Sequence, residues 1–289
     1  MSSFIVADSD LDVITYVVEA GGILTRVIES GSGSNVIICL HGAVSRADRF
    51  RRNLPVLARL GYRVLALDFP GHGFASKGVD FEYTTPSFAR VLSDFVAKLD
   101  VGPVTLMGTS LGAHVAAWYA CEEPSQVSAA VLIGAVGLVA PRGGPVDSSG
   151  RVQDTSLEGI RAKLKFLVFD PDLVTESWVE EERSVNLSPG APEALGQVSK
   201  YLAEGINEHV VGERYAALGV PTILVWGKQD RWVSPEVGYD LLTLLPDSPL
   251  VLLDRAGHAP YMERARAFNA VVGQFLVDPK AIGSGVHEY

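Results

Sequence analysis

The sequence predicts an α/β protein in which a mostly parallel central sheet is covered by helices on both faces and interrupted by a helical insertion. Short runs of apolar and β-branched residues alternate with longer amphipathic runs, a pattern typical of strands connected through helices. The alternation stops near residue 141 and resumes near residue 219. At 289 residues the chain exceeds the usual single domain but falls short of two full enzymes, so one core with an insertion is the natural organisation.

The first part of the core, residues 1–140, contains most of the predicted strands. Gly21 and Gly22 join the first two strands as a hairpin. A continuously apolar run, NVIICL, is typical of a buried parallel strand. The predicted strands are Val13–Val18, Ile23–Glu29, Asn35–Leu40, Tyr62–Phe69, Val104–Met107 and Ala129–Val136, and the predicted helices are Arg46–Leu60, Pro86–Leu99 and Leu111–Ala120.

The insertion, residues 141–218, has no convincing buried strand. It contains charged segments with apolar residues at helical spacing, separated by turns at Asp170-Pro171 and Pro189-Gly190. We therefore interpret it as an inserted helical cap, or lid.

The second part of the core, residues 219–280, resumes the alternation of strands and helices. Residues 281–289 are expected to form a frayed C-terminal tail. The predicted elements of this second part are the strands Pro221–Trp226 and Leu250–Leu253 and the helices Pro235–Leu245 and Met262–Phe275.

The composition argues against several classes of protein. A net charge of −10, from 24 basic and 34 acidic residues, disfavours a nucleic-acid partner, because such binding needs a basic face. The longest apolar run, 129–140, is shorter than the roughly 20 residues of a membrane-spanning helix, and the N-terminus has no basic leader. Cys39 and Cys121 lie in different predicted elements without a CxxC spacing. We expect a cytoplasmic protein with no membrane partner, no disulfide and no cysteine metal site.

The strongest chemical signal is Gly108-Thr109-Ser110-Leu111-Gly112, a G-x-S-x-G motif between a predicted strand and a predicted helix. That context is the one a nucleophile elbow requires. The turn is so tight that side chains two positions on either side of the serine would collide with it, and glycine at both positions removes the collision. The motif predicts Ser110 as a catalytic nucleophile.

A serine nucleophile needs a base and an acid that orients the base. The histidines that compete for the role of base are His41, His72, His114, His209, His258 and His287. Only His258 follows a late predicted strand on a short loop, in the chain order serine, acid, histidine. For the acid, Asp230 follows the strand that ends at Trp226. Its rival Asp254 precedes His258 by four residues on the same connection and is interpreted as a strand-end residue.

The loop after the third strand reads His41-Gly42-Ala43-Val44 and is the expected second half of an oxyanion hole. We predict that the backbone amides of Ala43 and Leu111 hold the oxyanion. His41 is interpreted mainly as a brace for this loop and is kept as a candidate substrate contact. The glycine-rich Asp68–Ser76 loop is interpreted as a structural turn. No phosphate-binding or HExxH motif and no cluster of metal ligands is present, so no cofactor and no metal are implied.

Taken together, the HG after the third strand, DFPGHG, GTSLG, WGKQD and AGH resemble the landmarks of the α/β-hydrolase superfamily in order and spacing. The resemblance covers about residues 20–277. It implies the α/β-hydrolase fold, a small-molecule substrate and acyl transfer to water. A homodimer is an expectation that the resemblance alone carries.

Within that superfamily the lid resembles that of the meta-cleavage product hydrolases, which cut carbon–carbon bonds in ring-opened aromatic dienoates. The matching stretch runs from Glu158-Gly159 to Glu193-Ala194-Leu195. In that family an arginine at the position of Arg183 binds a substrate carboxylate, so the resemblance implies Arg183 as an anchor. The alternative for Arg183 is a solvated charge beside the run Glu180-Glu181-Glu182. Further candidate substrate contacts are Thr109, Trp178 and Tyr261.

Other functions remain open at this stage. Thr109 stands where that family commonly has Asn, and Ala259 follows His258 where the family usually has Trp. A carboxylesterase or lactonase is therefore an alternative to a C–C hydrolase. A second alternative, from another class, is a hydrolase-fold signal receptor that turns over slowly or not at all.

Overall fold

The computed structural model describes residues 4–6, 13–77, 80–140 and 153–289. In these residues one sheet of ten strands runs in the order β1-β2-β3-β5-β4-β6-β7-β8-β9-β10. The strands are β1 Phe4–Val6, β2 Val13–Ala20, β3 Ile23–Ser30, β4 Asn35–Leu40, β5 Tyr62–Leu67, β6 Val104–Thr109, β7 Val127–Ile133, β8 Thr222–Gly227, β9 Pro249–Leu253 and β10 Gly285–Glu288. From β5 to β10 along this order neighbouring strands are parallel, whereas the pairs β1-β2, β2-β3 and β3-β5 are antiparallel.

Helices cover both faces of the sheet, and the central parallel strands are mostly apolar because both of their faces are buried. The two apolar clusters of the core correspond to these two faces, one around Phe88 and Trp226 and the other around Phe50 and Phe268. The helices are α1 Leu54–Ala58, α2 Thr85–Leu99, α3 Leu111–Glu122, α4 Leu157–Leu167, α5 Glu176–Asn186, α6 Ala191–Lys200, α7 Gly212–Ala216, α8 Glu236–Leu244, α9 Pro260–Glu263 and α10 Ala265–Val277. The predicted fold class and the hairpin through Gly21 and Gly22, both with positive φ, are confirmed.

The predicted helix Arg46–Leu60 is wrong as a single element. The structure has a short 3-10 turn, Ala47–Phe50, followed by the separate helix α1. Proline explains the break: Pro55 has no N–H, and inside a longer helix its ring would clash with the carbonyl four residues earlier. At the start of α1 it is accommodated, because the first helical N–H groups have no partner in the helix.

The predicted frayed tail is also wrong. Gly285–Glu288 pair in parallel with Pro249–Leu252 of β9 and extend the sheet by one edge strand. The Asp254 N–H donates to the Tyr289 carbonyl at 2.7 Å, and the Tyr289 N–H donates to the Leu252 carbonyl at 3.0 Å. The open edge of β9 thus supplies the pairing that a short polar segment cannot supply for itself.

The described part of the insertion, 153–218, is helical, as predicted. Residues 141–152, where the predicted lid begins, lie outside the described residues. The insertion leaves the sheet after β7 and returns to it at β8, and these two strands are neighbours in register, with Ile133 beside Val225. Leu164 and Leu202 of the insertion line the same cavity as Ser110, so the lid lies above the carboxyl ends of the strands, where the predicted catalytic residues are. Among the described residues there is no helix long and apolar enough to cross a membrane.

Candidate active site

Ser110 occupies a strained turn between β6 and α3. Its φ of 54° and ψ of −117° fall outside the regions that L-residues ordinarily adopt. The conformation is held by the Ser110 N–H, which donates to the Ile133 carbonyl at 2.8 Å, and by the helix that follows at once. This is the geometry that the G-x-S-x-G motif predicts, with the serine side chain raised above the sheet.

The two glycines of the motif are required by their surroundings. A Cβ on Gly108 would lie 2.3 Å from the Gly112 carbonyl oxygen. A Cβ on Gly112 would lie 2.2 Å from the Leu40 carbonyl oxygen, which is backbone and has little freedom to move. The elbow therefore depends on the absence of two side chains, as the sequence predicts.

His258 and Asp230 form a buried pair on two neighbouring loops. The Nδ1 of His258 and the Oδ2 of Asp230 are 2.7 Å apart. The other carboxylate oxygen of Asp230 accepts the N–H groups of Trp232 and Val233 at 2.8 and 2.9 Å. With three hydrogen bonds made in this way, the carboxylate is held in one orientation towards the imidazole.

Gly134, which the sequence reasoning did not single out, makes room for this pair. It follows β7 with a φ of +50°, and a Cβ there would lie 3.0 Å from the Cε1 of His258 and 3.4 Å from the Oδ2 of Asp230. No motif in the sequence marks this glycine. Its importance arises only because β7 lies between the strands that carry Ser110 and Asp230.

The predicted oxyanion loop lies against the elbow. A Cβ on Gly42 would be 3.2 Å from the Cβ of Ser110, so the loop approaches the serine as closely as backbone allows. Ala43 lines the same cavity as Ser110 and His258, and Leu111 is the first residue of α3. The role of their amides in holding an oxyanion stays a prediction.

His41 braces this loop from behind. The Phe69 N–H donates to its Nε2 at 2.9 Å, which leaves the proton on Nδ1 to bond the Gly42 carbonyl at 2.7 Å. Burial lowers the pKa of His41 to about 3, so the imidazole is neutral at physiological pH. Because His41 is fully buried and does not line the cavity, its candidacy as a substrate contact is not supported by its placement.

One cavity between core and lid brings the predicted catalytic residues together. Ser110 and His258 both line it, and Asp230 lies directly behind His258. Most of the remaining lining is apolar, whereas one wall carries the charged residues Arg49, Lys163 and Glu182. Among the described residues no group of three or more His, Cys, Asp or Glu side chains could hold a metal.

The chain matches one known protein family over most of its length. The family described as the α/β hydrolase fold matches residues 35–265. The chain belongs to the α/β hydrolase fold family.

Proteins of similar sequence or structure are themselves named as hydrolases. A 2-hydroxy-6-oxononadienedioate/2-hydroxy-6-oxononatrienedioate hydrolase of Cupriavidus pinatubonensis is 29% identical over 260 residues, covering 86% of this chain and 89% of the relative. The crystal structure of a serine hydrolase involved in carbazole degradation is 28% identical, with a TM-score of 0.80, covering 92% of this chain and 99% of that one. The 2-hydroxy-6-oxo-6-phenylhexa-2,4-dienoate hydrolase of a Rhodococcus strain has a TM-score of 0.85 at 21% identity, covering 93% of this chain and 100% of that one, and therefore shares the fold.

Arg183 does not occupy the place that the family resemblance implied for it. It is exposed on α5, and the cavity is instead lined by its neighbour Glu182, which is 1% exposed. One residue along a helix corresponds to a rotation of about 100°, which is enough to move a side chain from the cavity to solvent. Helical spacing could have predicted Glu182 as the buried residue, because it lies three residues after Val179 on the buried face of α5.

Glu182 ties the lid to the core through two arginines. Its carboxylate binds the guanidinium of Arg46 at 2.7 Å and also that of Arg49. Burial by itself raises the pKa of Glu182, but the adjacent Arg49 and Arg46 outweigh it and hold the pKa below its usual value. The sequence alone gave no sign of these arginines, since they lie in a stretch predicted as an ordinary helix.

The remaining predicted substrate contacts divide into two kinds. Thr109 and Tyr261 both line the cavity, and Tyr261 is fixed by stacking on Phe50 with ring centroids 4.8 Å apart. Trp178 does not line it. Its ring packs against the guanidinium of Arg49, with 4.7 Å between Cζ and the ring centroid, and so supports the charged wall from behind.

A second set of contacts joins the lid to the loop of the predicted base. The His258 N–H donates to the Leu167 carbonyl at the end of α4, at 2.8 Å. Glu263 accepts the N–H of Gly257 at 2.8 Å and that of Phe169 at 2.6 Å, so one carboxylate connects the histidine loop to the lid. A displacement of α4 would therefore move the backbone at His258.

Proposed function

We propose that the protein is a serine hydrolase in which Ser110 is the nucleophile, His258 the base and Asp230 the acid that orients the base. The observation that carries the proposal is the presence of a strained serine and a carboxylate-bound histidine on one cavity. Strained backbone is retained where the surrounding structure enforces it, often at catalytic sites.

The hydrogen bonds of the pair support this assignment of roles. Because Asp230 accepts the Nδ1 proton of His258, Nε2 is left with its lone pair for the proton of the serine. The same carboxylate then stabilises the imidazolium that forms. We assign the oxyanion to the amides of Ala43 and Leu111, and His258 returns its proton to the leaving group before water hydrolyses the acyl-enzyme.

As substrate we propose a 2-hydroxy-6-oxo-dienoate, with cleavage of the bond between C5 and C6. The support is the name of the Cupriavidus relative together with a cavity that is mostly apolar but charged on one wall. Carbon is a poor leaving atom unless its electron pair is delocalised. Transfer of the 2-hydroxyl proton to C5 gives a ketone whose carbonyl, through the C3–C4 double bond, can take up that pair when the bond breaks.

The test is steady-state turnover of a 2-hydroxy-6-oxo-dienoate, followed by loss of its visible absorbance, beside a short p-nitrophenyl ester. We expect the dienoate to be consumed far faster than the ester and Ser110→Ala to abolish both reactions. Cleavage of the ester alone would replace the C–C assignment with an esterase or lactonase. Labelling of Ser110 by a fluorophosphonate without turnover of either compound would leave the nucleophile and refute the substrate class.

The homodimer, the cytoplasmic location and the absence of a nucleic-acid partner stay predictions from the sequence.

A further inference from the structure

Lys163 is a buried amine at the wall of the active-site cavity. It lies on α4, is 7% exposed and lines the cavity. Its Nζ has no hydrogen-bond partner among the described residues. An ammonium group removed from water without a partner is costly, so such a side chain calls for a ligand.

The nearby carboxylates do not supply that partner. Glu182 acts on Lys163 through space, but its carboxylate is already bound by Arg46 and Arg49. Asp154 also acts on it through space, yet is exposed and accepts the Ser156 N–H at 2.9 Å. Of the charged lining residues, Arg49 is thus balanced by Glu182, and Lys163 is left as one positive charge in excess.

The rest of the described lining offers nothing that would balance a second anion. Apart from His258, it is neutral. Its polar side chains are Ser45, Thr109, Ser110, Asn207, Tyr261 and Trp232, whose indole N–H has no partner among the described residues. The apolar members include Val136, Val139, Leu202, Ile206, Val233 and Val237.

We propose that Lys163 anchors the single carboxylate of the substrate, and that the apolar remainder of the cavity selects substrates whose other end is uncharged. The proposal rests on the serine hydrolase function proposed above and narrows its substrate class. One unbalanced cation accommodates one carboxylate. A second carboxylate, as in a dienedioate, would be buried among apolar side chains without a counter-ion.

Burial lowers the pKa of the Lys163 amine, which fits a group that gains its stabilising anion only when substrate is bound. The geometry also explains why the anchor belongs to the lid. Leu164 and Leu167 of the same helix line the cavity, and the Leu167 carbonyl bonds the His258 N–H, so α4 connects the bound carboxylate to the catalytic loop.

The first measurement compares two substrates that differ only beyond C6: 2-hydroxy-6-oxo-6-phenylhexa-2,4-dienoate and 2-hydroxy-6-oxononadienedioate. We expect kcat/KM for the phenyl compound to exceed that for the dioate by about 100-fold, the scale on which an apolar pocket rejects an added polar group. Equal kcat/KM values would overturn the selection of an uncharged end while leaving the C–C hydrolase function intact.

The second measurement uses Lys163→Met, with Lys165→Met on the exposed face of the same helix as matched control. We expect Lys163→Met to raise KM for the phenyl dienoate by about 30-fold and to change KM for a neutral p-nitrophenyl ester much less. Lys163→Arg should restore most of the affinity, and Lys165→Met should change nothing. Equal loss on dienoate and ester would show a structural role and overturn the anchor.

Binding separates failure of the anchor from failure of the proposed function. In Ser110→Ala, which needs no turnover, the phenyl dienoate is titrated by its difference spectrum with and without Lys163→Met. A roughly 30-fold weaker dissociation constant in the double variant supports the anchor even if neither dienoate is cleaved. An unchanged dissociation constant overturns it, whatever the wild-type enzyme hydrolyses.

Discussion

The core side and the lid side of the cavity are held in place by different kinds of interaction. On the core side, Ser110 sits in a turn fixed by backbone contacts so close that Gly108 and Gly112 admit no side chain. On the lid side, Glu182 is bound by Arg46 and Arg49, whose long side chains reach from the core.

This difference decides how each side responds to change. Backbone contacts have almost no freedom, so a single added methyl group displaces the elbow. Ion pairs tolerate more movement, but they depend on charge, and therefore on pH. The core side should consequently fail through steric strain and loss of chemistry, and the lid side through loss of attachment.

The largest expected effect is on chemistry. Asp230→Asn keeps an oxygen for the N–H groups of Trp232 and Val233 but removes the carboxylate that fixes the tautomer of His258. We expect kcat to fall by about 10⁴-fold with KM nearly unchanged. The control is Asp254→Asn, the exposed rival, which should leave kcat unchanged. A larger loss in the control would reverse the assignment of the acid.

The next effect is on stability and tests the steric argument. Gly112→Ala places a Cβ 2.2 Å from the Leu40 carbonyl oxygen and should lower the free energy of unfolding by about 3 kcal/mol, measured in urea. Gly102→Ala is the control, because Gly102 is exposed and a Cβ there meets nothing within 4 Å. Similar losses in both variants would show that glycine at 112 is not required by close approach.

A smaller effect is expected from the ion pairs of the lid. Glu182→Gln keeps the shape but removes the charge that Arg46 and Arg49 share, and we expect local opening of α5 to become easier by about 2 kcal/mol. Hydrogen exchange of α5 amides measures this opening, with the exposed Glu180→Gln as control. Unchanged exchange would mean that apolar packing alone holds the lid.

The same variant tests the pH dependence. The pKa of Glu182 is lower in the folded protein than its ordinary value, so its contribution is fully present above that ordinary value, about 4.5. It is lost as the pH falls through the folded pKa. Protection of α5 in the wild type should therefore be constant above about pH 4.5 and decline below it. In Glu182→Gln that part of the decline should be absent.

The smallest effect is expected at the edge of the sheet. Removal of residues 283–289 deletes β10 and its hydrogen bonds to β9, and should cost about 1 kcal/mol of stability without changing kcat/KM. Glu288→Gln, which removes only the exposed ion pair with Lys228, serves as control and should leave the melting temperature unchanged. A melting temperature that does not change on truncation would show that β10 adds no stability, as expected of a frayed tail.

What the sequence predicted well depends on short-range geometry. Ser110 and its two glycines form a local motif, and the order of strands and loops brings His258 and Asp230 to the same edge. The elbow needs few contacts that are distant in the chain, and the pair, 28 residues apart, follows from the order of the strands. The fold class follows in the same way from the alternation of strands and helices.

What the sequence predicted poorly depends on long-range contacts. The choice between Glu182 and Arg183 as the cavity residue is a matter of one position on α5, which is settled by Arg46 and Arg49, more than 130 residues away in the chain. The strand Gly285–Glu288 exists because β9 offers it an open edge. In the stretch after His41, a single proline divides what apolar spacing presents as one helix.

The insertion departs from β7 and returns at β8, neighbouring strands paired as Ala130 to Thr222 and Ile133 to Val225. Because the two strands are parallel, the chain leaves the carboxyl end of β7 and returns at the amino end of β8, and the pairing of the sheet does not run through the lid. A different lid, grafted between these two strands, would leave the elbow and the histidine–aspartate pair in place. In evolution as in protein engineering, this chain can exchange the part that chooses the substrate without rebuilding the part that reacts with it.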